Sequence, residues 1–311
     1  MPITLNPMAA LPQCEGEQWS VDAPDDLAQL VALVLVGQAF HAALILVGTQ
    51  LAPPKITAGL KETLDKDLHP TTEKGIEHRD GLLFEIICWV AARKGKTGDE
   101  KIDNSHLKAT NQGTDGVKIT VDPATKTLTK ATVYEYKCTI HARQKFQSQV
   151  LKSFREYISG KRDNQLAQAV LALLESYGFN GYELKTAYDT LIQTRPLAFE
   201  ASLTVSPSQF PAAKCVALFK DYDSLQVALD KRGGNTLPLD DVRAWFADFA
   251  DNIKSDIIED LTKKLERKHV PVIAHNFMGK AVREQAKVMA EKTGGETIEL
   301  IPGEVEKVNE K

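Results

Sequence analysis

The chain has 311 residues, of which 43% are hydrophobic and 26% are charged, the composition of an ordinary globular protein. A net charge of −4 excludes a general affinity for polyanions, so any surface for nucleic acid must be local. The four cysteines are far apart and form no CxxC pair. This spacing argues against a zinc site or a disulfide framework and favours free thiols in a reducing cytoplasm.

The first third of the chain is predicted to be mainly helical. Residues 1–23 show no regular pattern and no basic segment followed by an apolar one, so we expect an irregular start without a signal peptide. The apolar run from Leu27 to Ala52 is interrupted by polar residues and glycines. These interruptions favour a buried helix or helical hairpin over a membrane span. Two further helices are predicted at 56–68 and 72–93.

The middle of the chain is predicted to combine strands with helices. A turn at 122–125 separates two predicted strands, 117–121 and 127–139. The spacing of apolar residues then becomes helical. The elements predicted next are helices at 143–159, 165–177 and 181–194 and extended segments at 197–205 and 214–219.

The last part begins with Gly233-Gly234-Asn235, which has the composition of a linker or a long turn. An apolar stripe from Val242 to Leu265 predicts one long amphipathic helix. The elements predicted after it are a strand at 270–275, a helix to residue 293, a strand at 297–301 and a disordered tail from Glu304.

These elements predict a mixed α/β protein with a small central mixed sheet flanked by helices. We divide the chain into an N-terminal helical region at 1–70, a core at 71–232 and a C-terminal region at 233–311. The C-terminal region is expected to have helix-strand-helix-strand order and to pack on the core.

The residues with the clearest chemistry are Asp115, Glu135 and Lys137. Asp115 precedes the first strand of the predicted hairpin, and Glu135 and Lys137 share one face of the second strand because side chains alternate along a strand. If the hairpin closes at its turn, Asp115 lies beside Glu135. Two carboxylates can hold a divalent cation, and a neighbouring lysine can stabilise the charge of a phosphate.

The alternative interpretation is that Glu135 and Lys137 form an exposed strand face, because an E-x-K triplet also arises by chance. Two further features favour a site. Glu85 interrupts an apolar helical stretch and could add a third carboxylate, although it could also mark the solvent edge of that helix. The segment 130–162 is basic and could contact a phosphate backbone, although it could also be an ordinary solvated helix face. Its basic residues are Lys130, Lys137, Arg143, Lys145, Lys152, Arg155, Lys161 and Arg162.

The chain contains, in order, a helix glutamate, a G-x-D-G motif, a hairpin, and an E-x-K motif that leads into a helix. This order resembles the PD-(D/E)XK nuclease superfamily, which has the restriction-endonuclease-like fold. The resemblance covers about residues 81–157 and implies that the core at 71–232 is nuclease-like. It implies that Asp115 and Glu135 bind Mg²⁺, or Mn²⁺ as a substitute, with help from the Tyr136 carbonyl. It also implies that Lys137 orients or deprotonates the attacking water and that Glu85 completes the catalytic set. The proline that often precedes the aspartate in this family is replaced by Thr114.

The flanking helical regions also resemble the nuclease subunits of the Hachiman anti-phage defence system (HamA-like), which work with a helicase. The resemblance therefore implies a metal-dependent deoxyribonuclease, with DNA as the substrate and a helicase or ATPase as a partner. We expect contacts to DNA from Arg143, Lys145, Lys152 and Arg155. We also expect a cytoplasmic location without membrane contact. The prediction is compatible with a homo-oligomer. The alternative is a catalytically silent nucleic-acid-binding or assembly subunit of a helicase-containing complex.

Other classes of site are not supported by the sequence. The histidines show no zinc-binding spacing, so a zinc centre is not expected. The chain has no P-loop, no GxGxxG and no G-x-S-x-G motif, which argues against an ATPase, a dinucleotide enzyme and a serine hydrolase.

Overall fold

Seven strands form one mixed sheet that is curled into a half-barrel and flanked by helices. The computed structural model describes residues 2–8, 12–48, 55–94, 100–103, 114–208, 210, 215–253, 257–266, 273–274 and 298–299. The strands are β1 (Ile3–Pro7), β2 (Glu17–Val21), β3 (Glu100–Ile102), β4 (Gly116–Val121), β5 (Leu128–Lys137), β6 (Leu197–Val205) and β7 (Arg232–Pro238), and two short strands, β8 (Ile273–Ala274) and β9 (Ile298–Glu299), pair separately. The mixed α/β class is confirmed, but the sheet is larger than expected.

The strand order in the large sheet is β1-β2-β7-β6-β5-β4-β3. Neighbouring strands from β2 through β7 and β6 to β5 are parallel, and the strand pairs at both edges are antiparallel. The helices are α1 (Pro24–Leu35), α2 (Ala39–Leu46), α3 (Ala58–Leu68), α4 (Glu73–Lys94), α5 (Ala142–Lys145), α6 (Leu151–Ile158), α7 (Asp163–Ser176), α8 (Gly181–Gln193), α9 (Cys215–Leu218), α10 (Val242–Asn252) and α11 (Ile257–Glu266). A π-helical turn, Phe146–Val150, joins α5 to α6.

The two faces of the sheet support two separate apolar cores. One core, on what we call the α4 face, contains side chains from α1, α2, α4, α10 and α11. The other core, on the α6 face, contains side chains from α5 to α9. Alternation along β5 sends Val133 into the α6-face core, whereas Tyr136 packs against the α4-face core. This alternation decides which helices surround Glu135 and Lys137.

Most of the predicted helices and strands are confirmed within a few residues. The apolar run after Pro24 forms helices α1 and α2. The first turn of α1 carries Asp25 and Asp26, and acidic side chains at this position stabilise the start of a helix. Its buried side chains belong to the α4-face core, as expected for a buried helical hairpin. Among the described helices, none is both long enough and apolar enough to cross a membrane.

The prediction of an irregular start over 1–23 is wrong, because β1 and β2 form one edge of the large sheet there. Ile3 and Trp19 are buried in the α4-face core. Each strand has only five residues, too few for a clear alternating pattern. The two strands were therefore not predictable from local pattern. Their place in the sheet depends on the pairing of β2 with the distant strand β7.

The prediction of a linker at Gly233-Gly234-Asn235 is also wrong, because these residues lie inside β7. A Cβ atom on Gly234 would lie 2.8 Å from the Phe219 ring and 2.9 Å from the Cys14 sulfur. A Cβ atom on Gly233 would lie 2.8 Å from the Glu200 side chain. The glycines therefore allow close packing on both faces of the sheet.

Two further predictions need correction. Residues 215–218 form the short helix α9 instead of an extended segment. The single helix predicted from Val242 to Leu265 is described as two helices, and at Ile253 the backbone leaves the helical region with φ −85° and ψ 70°. The helix predicted up to residue 293 and the tail from Glu304 lie outside the described residues.

Candidate active site

The β4–β5 hairpin brings Asp115 next to Glu135. Gly116 pairs with Tyr134 and Val117 with Val133, so the residue before β4 faces the C-terminal end of β5. The turn is stabilised by Asp122, whose Oδ1 accepts hydrogen bonds from Ala124 N at 2.8 Å and Thr125 N at 3.1 Å. The predicted convergence of Asp115, Glu135 and Lys137 is therefore confirmed.

The ammonium of Lys137 lies among three oxygen atoms. Lys137 Nζ is 2.9 Å from Asp115 Oδ2, 2.9 Å from Glu135 Oε2 and 2.9 Å from the main-chain oxygen of Tyr136. The amide of Tyr136 also donates to Asp115 Oδ2 at 2.7 Å. This hydrogen bond fixes the Asp115 side chain at the end of β5. The three oxygens are those that the family resemblance implies as metal ligands, and together they surround one cation, Lys137.

Glu135 has a second set of partners on the other side of its carboxylate. Its Oε1 accepts a hydrogen bond from Ser153 on α6. Arg162 NH1 donates to Ser153 Oγ at 2.7 Å and lies 3.6 Å from Glu135 Oε1. The two oxygens of Glu135 therefore face different cations. This pairing compensates for the burial of Glu135, which is only 6% exposed.

Burial and charge act in opposite directions on the two central groups. Burial raises the pKa of Glu135, the nearby ammonium of Lys137 opposes this rise, and the charge of Asp115 adds to it. Burial by itself would lower the pKa of Lys137. The charges of Asp115 and Glu135 outweigh burial, so the pKa of Lys137 is raised above its ordinary value. Lys137 is therefore a cation at neutral pH.

Arg162 is held in place by three contacts besides its approach to Glu135. Its guanidinium carbon lies 4.5 Å from the centre of the Tyr157 ring, a cation–π contact. Its Nε donates to Gln165 Oε1 at 2.7 Å, and NH1 donates to Ser153 as described above. A guanidinium fixed in this way at the edge of the cluster is suited to binding a phosphate oxygen.

An open groove of about 730 Å³ runs over this cluster. The π-helical turn, α6 and the start of α7 form one wall, and the two carboxylates lie at its base. The residues that line the groove are Asp115, Glu135, Ser148, Gln149, Lys152, Ser153, Glu156, Arg162 and Gln165. The lining therefore combines three carboxylates with two cations, Lys152 and Arg162, so binding of a phosphate here requires a further cation that offsets the carboxylate charge.

The four basic residues expected to contact DNA occupy different positions. Lys152 lines the groove. Arg143 is used inside the fold, because it donates to the main-chain oxygens of Leu218 and Lys220 and pairs with Asp221. Lys145 is half-buried on α5. Of Arg143, Lys145 and Lys152, only Lys152 is among the described residues that line the groove.

The fourth residue, Arg155, is exposed on α6 and donates to Ser224 Oγ at 2.9 Å. Glu85 lies half-buried on α4, the helix on the other face of the sheet. The charges of both Glu85 and Asp115 raise the pKa of the buried Cys88 thiol, after the larger effect of burial. Glu85 is not among the described residues that line the groove.

Two carboxylates and a main-chain carbonyl fit a magnesium ion, which commonly binds through one or two carboxylates plus water and substrate phosphate. The three oxygens already surround one cation, Lys137, at hydrogen-bonding distance. Within the described part of the chain, no group of three or more His, Cys, Asp or Glu side chains is arranged to hold a metal. A metal here would therefore depend on the carbonyl and on further ligands from water or substrate.

Sequence reasoning did not identify Ser153, Gln165 or Arg162 as site residues. Arg162 was counted in the basic segment, but nothing in its spacing distinguished it from its neighbours. Ser153 and Gln165 are common polar residues on helices and carry no local signal. They reach the site only because α6 and α7 pack against the same face of β5.

Comparison with protein-family models, with curated proteins and with solved structures returns no match. The chemistry assigned to this site rests on the geometry of the described residues.

Proposed function

We propose that this protein is a Mg²⁺-dependent nuclease that hydrolyses DNA phosphodiester bonds, with a role in defence against foreign DNA suggested by the family resemblance. The observation that carries the proposal is the set of three oxygens around Lys137 Nζ, each at 2.9 Å. The order of elements supports it as well. Along the chain, a helix with Glu85 is followed by a hairpin with Asp115 and the E-x-K strand and then by further helices, which is the order that the resemblance implies.

Asp115, Glu135 and the Tyr136 carbonyl would hold the ion. When bound, Mg²⁺ supplies positive charge that polarises the phosphate and activates water. Lys137, a cation between the two carboxylates, stabilises the negative charge that develops on the phosphate. Arg162 and Lys152 bind the phosphodiester backbone along the groove.

A test uses purified protein and supercoiled plasmid, with Mg²⁺ or with EDTA. We expect cleavage with Mg²⁺ and none with EDTA. Glu135→Gln and Lys137→Met should abolish cleavage. Matched controls are Glu175→Gln and Lys185→Met, which change exposed residues on α7 and α8 and should cleave at the wild-type rate. Circular dichroism should show that all four variants are folded. Full Mg²⁺-dependent cleavage by either site variant would exclude these residue roles.

A second candidate is a nucleic-acid-binding subunit without catalytic activity, working with a helicase or ATPase. One observation favours it. Lys137 and Arg162 approach the two oxygens of Glu135, so side chains of the protein themselves compensate the buried charge. Plasmid binding without cleavage, in Mg²⁺ and with a candidate helicase added, would support this candidate over the nuclease.

A further inference from the structure

A second pocket, of about 270 Å³, lies on the α4 face of the sheet. Strands β1, β2, β4, β5, β6 and β7 contribute to it, and Ala91 and Ala92 of α4 close one side. Strands from one edge of the sheet to the other reach a single pocket only where the sheet curves around it. The pocket therefore lies on the concave side of the half-barrel. None of its described lining residues lines the groove of the candidate active site.

The charges around the pocket do not select an ionic ligand. Equal numbers of basic and acidic side chains are found among the described residues that line it. The basic residues are Lys118, Lys130, Lys231 and Arg232, and the acidic residues are Glu15, Glu17, Glu200 and Asp230. Recognition here therefore depends on hydrogen bonds and shape, which suits a ligand without net charge.

The Arg232 guanidinium belongs to the opposite face of the sheet. Its Nε and NH1 are buried and have no hydrogen-bond partner among the described residues. A Cβ atom on Gly234, two positions along β7, would lie 2.9 Å from the Cys14 sulfur in the α6-face core. Because alternate residues of a strand share a face, Arg232 leaves β7 toward that core. In agreement, burial raises the pKa of the Cys14 thiol, and the charge of Arg232 opposes this rise.

The Tyr134 hydroxyl is the group in this pocket that points to a ligand. Tyr134 is 1% exposed and lines the pocket, and its hydroxyl has no hydrogen-bond partner within the described part of the chain. Tyr134 and Glu200 are register partners on β5 and β6, so their side chains stand side by side on the α4 face. A buried hydroxyl without a partner is costly and is expected to have one in the functional state.

Glu200 places a fixed carboxylate beside this hydroxyl. Asn235 Nδ2 donates to Glu200 Oε1 at 2.7 Å, and the amide of Glu17 donates to Asn235 Oδ1 at 3.1 Å. Gly233 leaves room for the Glu200 side chain across β7, because a Cβ atom there would lie 2.8 Å from it. A carboxylate can accept about four hydrogen bonds. Glu200 can therefore accept N–H donors of a ligand while Tyr134 donates to an acceptor next to them.

We propose that this pocket binds a guanine base, whose N1–H and 2-amino group donate to Glu200 and whose O6 accepts from the Tyr134 hydroxyl. Among the common nucleobases, guanine has two adjacent N–H donors beside a carbonyl oxygen, which matches a carboxylate beside a hydroxyl. Trp19 lines the pocket from β2 and offers a flat apolar surface on which a base can stack. This binding site does not depend on nuclease activity.

The test is nucleoside binding to the full chain, measured by saturation-transfer NMR and by the shift in melting temperature. The probes are guanosine, inosine, which lacks the 2-amino group, and 1-methylguanosine, which lacks N1–H. We expect guanosine to raise the melting temperature with increasing concentration. Inosine and 1-methylguanosine should each bind about tenfold more weakly, because each loses one hydrogen bond to a carboxylate.

Two variants test the residues. Glu200→Gln should bind guanosine about tenfold more weakly, because the N–H donors lose a charged acceptor. Tyr134→Phe should also bind more weakly, and it keeps the ring in place if Glu200→Gln does not fold. The matched controls are Glu135→Gln and Tyr157→Phe, which remove a buried carboxylate and a buried unpartnered hydroxyl from the α6 face. Both controls should bind guanosine as the wild type does.

Several results would overturn this assignment. One is equal affinity of the wild type for guanosine and inosine, and another is undiminished guanosine binding by folded Glu200→Gln or Tyr134→Phe protein. Absence of guanosine binding to the wild type would overturn it as well. Weaker guanosine binding to Glu135→Gln alone would place the base in the groove of the candidate active site instead.

Discussion

Lys137 Nζ lies 2.9 Å from Asp115 Oδ2, although the two residues are 22 positions apart in the chain. The hairpin brings them together, because Asp115 follows the register that pairs Gly116 with Tyr134. The same ammonium contacts Glu135. Lys137 is therefore the cation shared by both carboxylates, and this makes the site sensitive to the loss of Lys137.

Lys137→Met should lower the free energy of unfolding in EDTA by about 3 kcal/mol, because it leaves the buried Glu135 with less compensation. Mg²⁺ should raise the melting temperature of this variant more than that of the wild type, since a divalent ion can replace the missing charge. Chemical denaturation and calorimetry measure both effects. Lys118→Met is the control, because Lys118 has a comparably buried side chain and pairs with Glu100. An equal Mg²⁺ response in both variants would argue against a metal site at Glu135.

Arg162→Met should weaken DNA binding measured in EDTA, where cleavage does not occur. If Arg162 contacts one phosphate, the slope of log K against log salt should fall in magnitude by about 0.9. Fluorescence anisotropy at several salt concentrations gives this slope. Lys185→Met, an exposed residue on α8, should leave the slope unchanged. An unchanged slope for Arg162→Met would show that Arg162 contacts Glu135 and Ser153 within the protein but does not contact a phosphate.

Asp80→Ala should destabilise the fold by about 3 kcal/mol, because it leaves the largely buried guanidinium of Arg79 without its carboxylate partner. Asp80 is 1% exposed and accepts from Arg79 at 2.7 and 2.9 Å and also from Arg243 of α10. These contacts tie α4 to α10. Glu77→Ala removes the exposed partner of the same Arg243, 3.3 Å away, and should cost less than about 1 kcal/mol. If urea denaturation gave equal losses of unfolding free energy for Asp80→Ala and Glu77→Ala, the stabilising role of the buried Asp80 would be contradicted.

Glu200 should give the folded protein a measurable pH dependence. Burial raises its pKa above the ordinary value of 4.5, so the folded state binds the proton more tightly than the unfolded state. The stabilisation is therefore fully present below pH 4.5 and is lost as the pH rises through the folded pKa. Glu200→Gln should flatten the stability curve in this window. An identical pH slope in the wild type and Glu200→Gln would show that burial does not raise the pKa of Glu200.

The candidate site was predictable as far as it depends on local pairing. The turn at Asp122 and the alternation along β5 sufficed to place Asp115 beside Glu135 and to put Lys137 on the same face. The roles of these residues in metal binding and catalysis stay predictions. The surroundings of the cluster were not predictable, because Ser153 and Arg162 reach Glu135 only through the packing of α6 and α7.

The sequence by itself determined the mixed α/β class, most helices and the hairpin, because turn composition and apolar periodicity are local properties. Only the tertiary structure decided that β1, β2 and β7 extend the sheet to seven strands. It also decided that Gly233 and Gly234 lie in a strand, where a Cβ atom would clash. Both outcomes depend on contacts between strands and helices that are separated along the chain, in the extreme case Glu17 and Asn235, which are 218 positions apart, and no local pattern records such contacts.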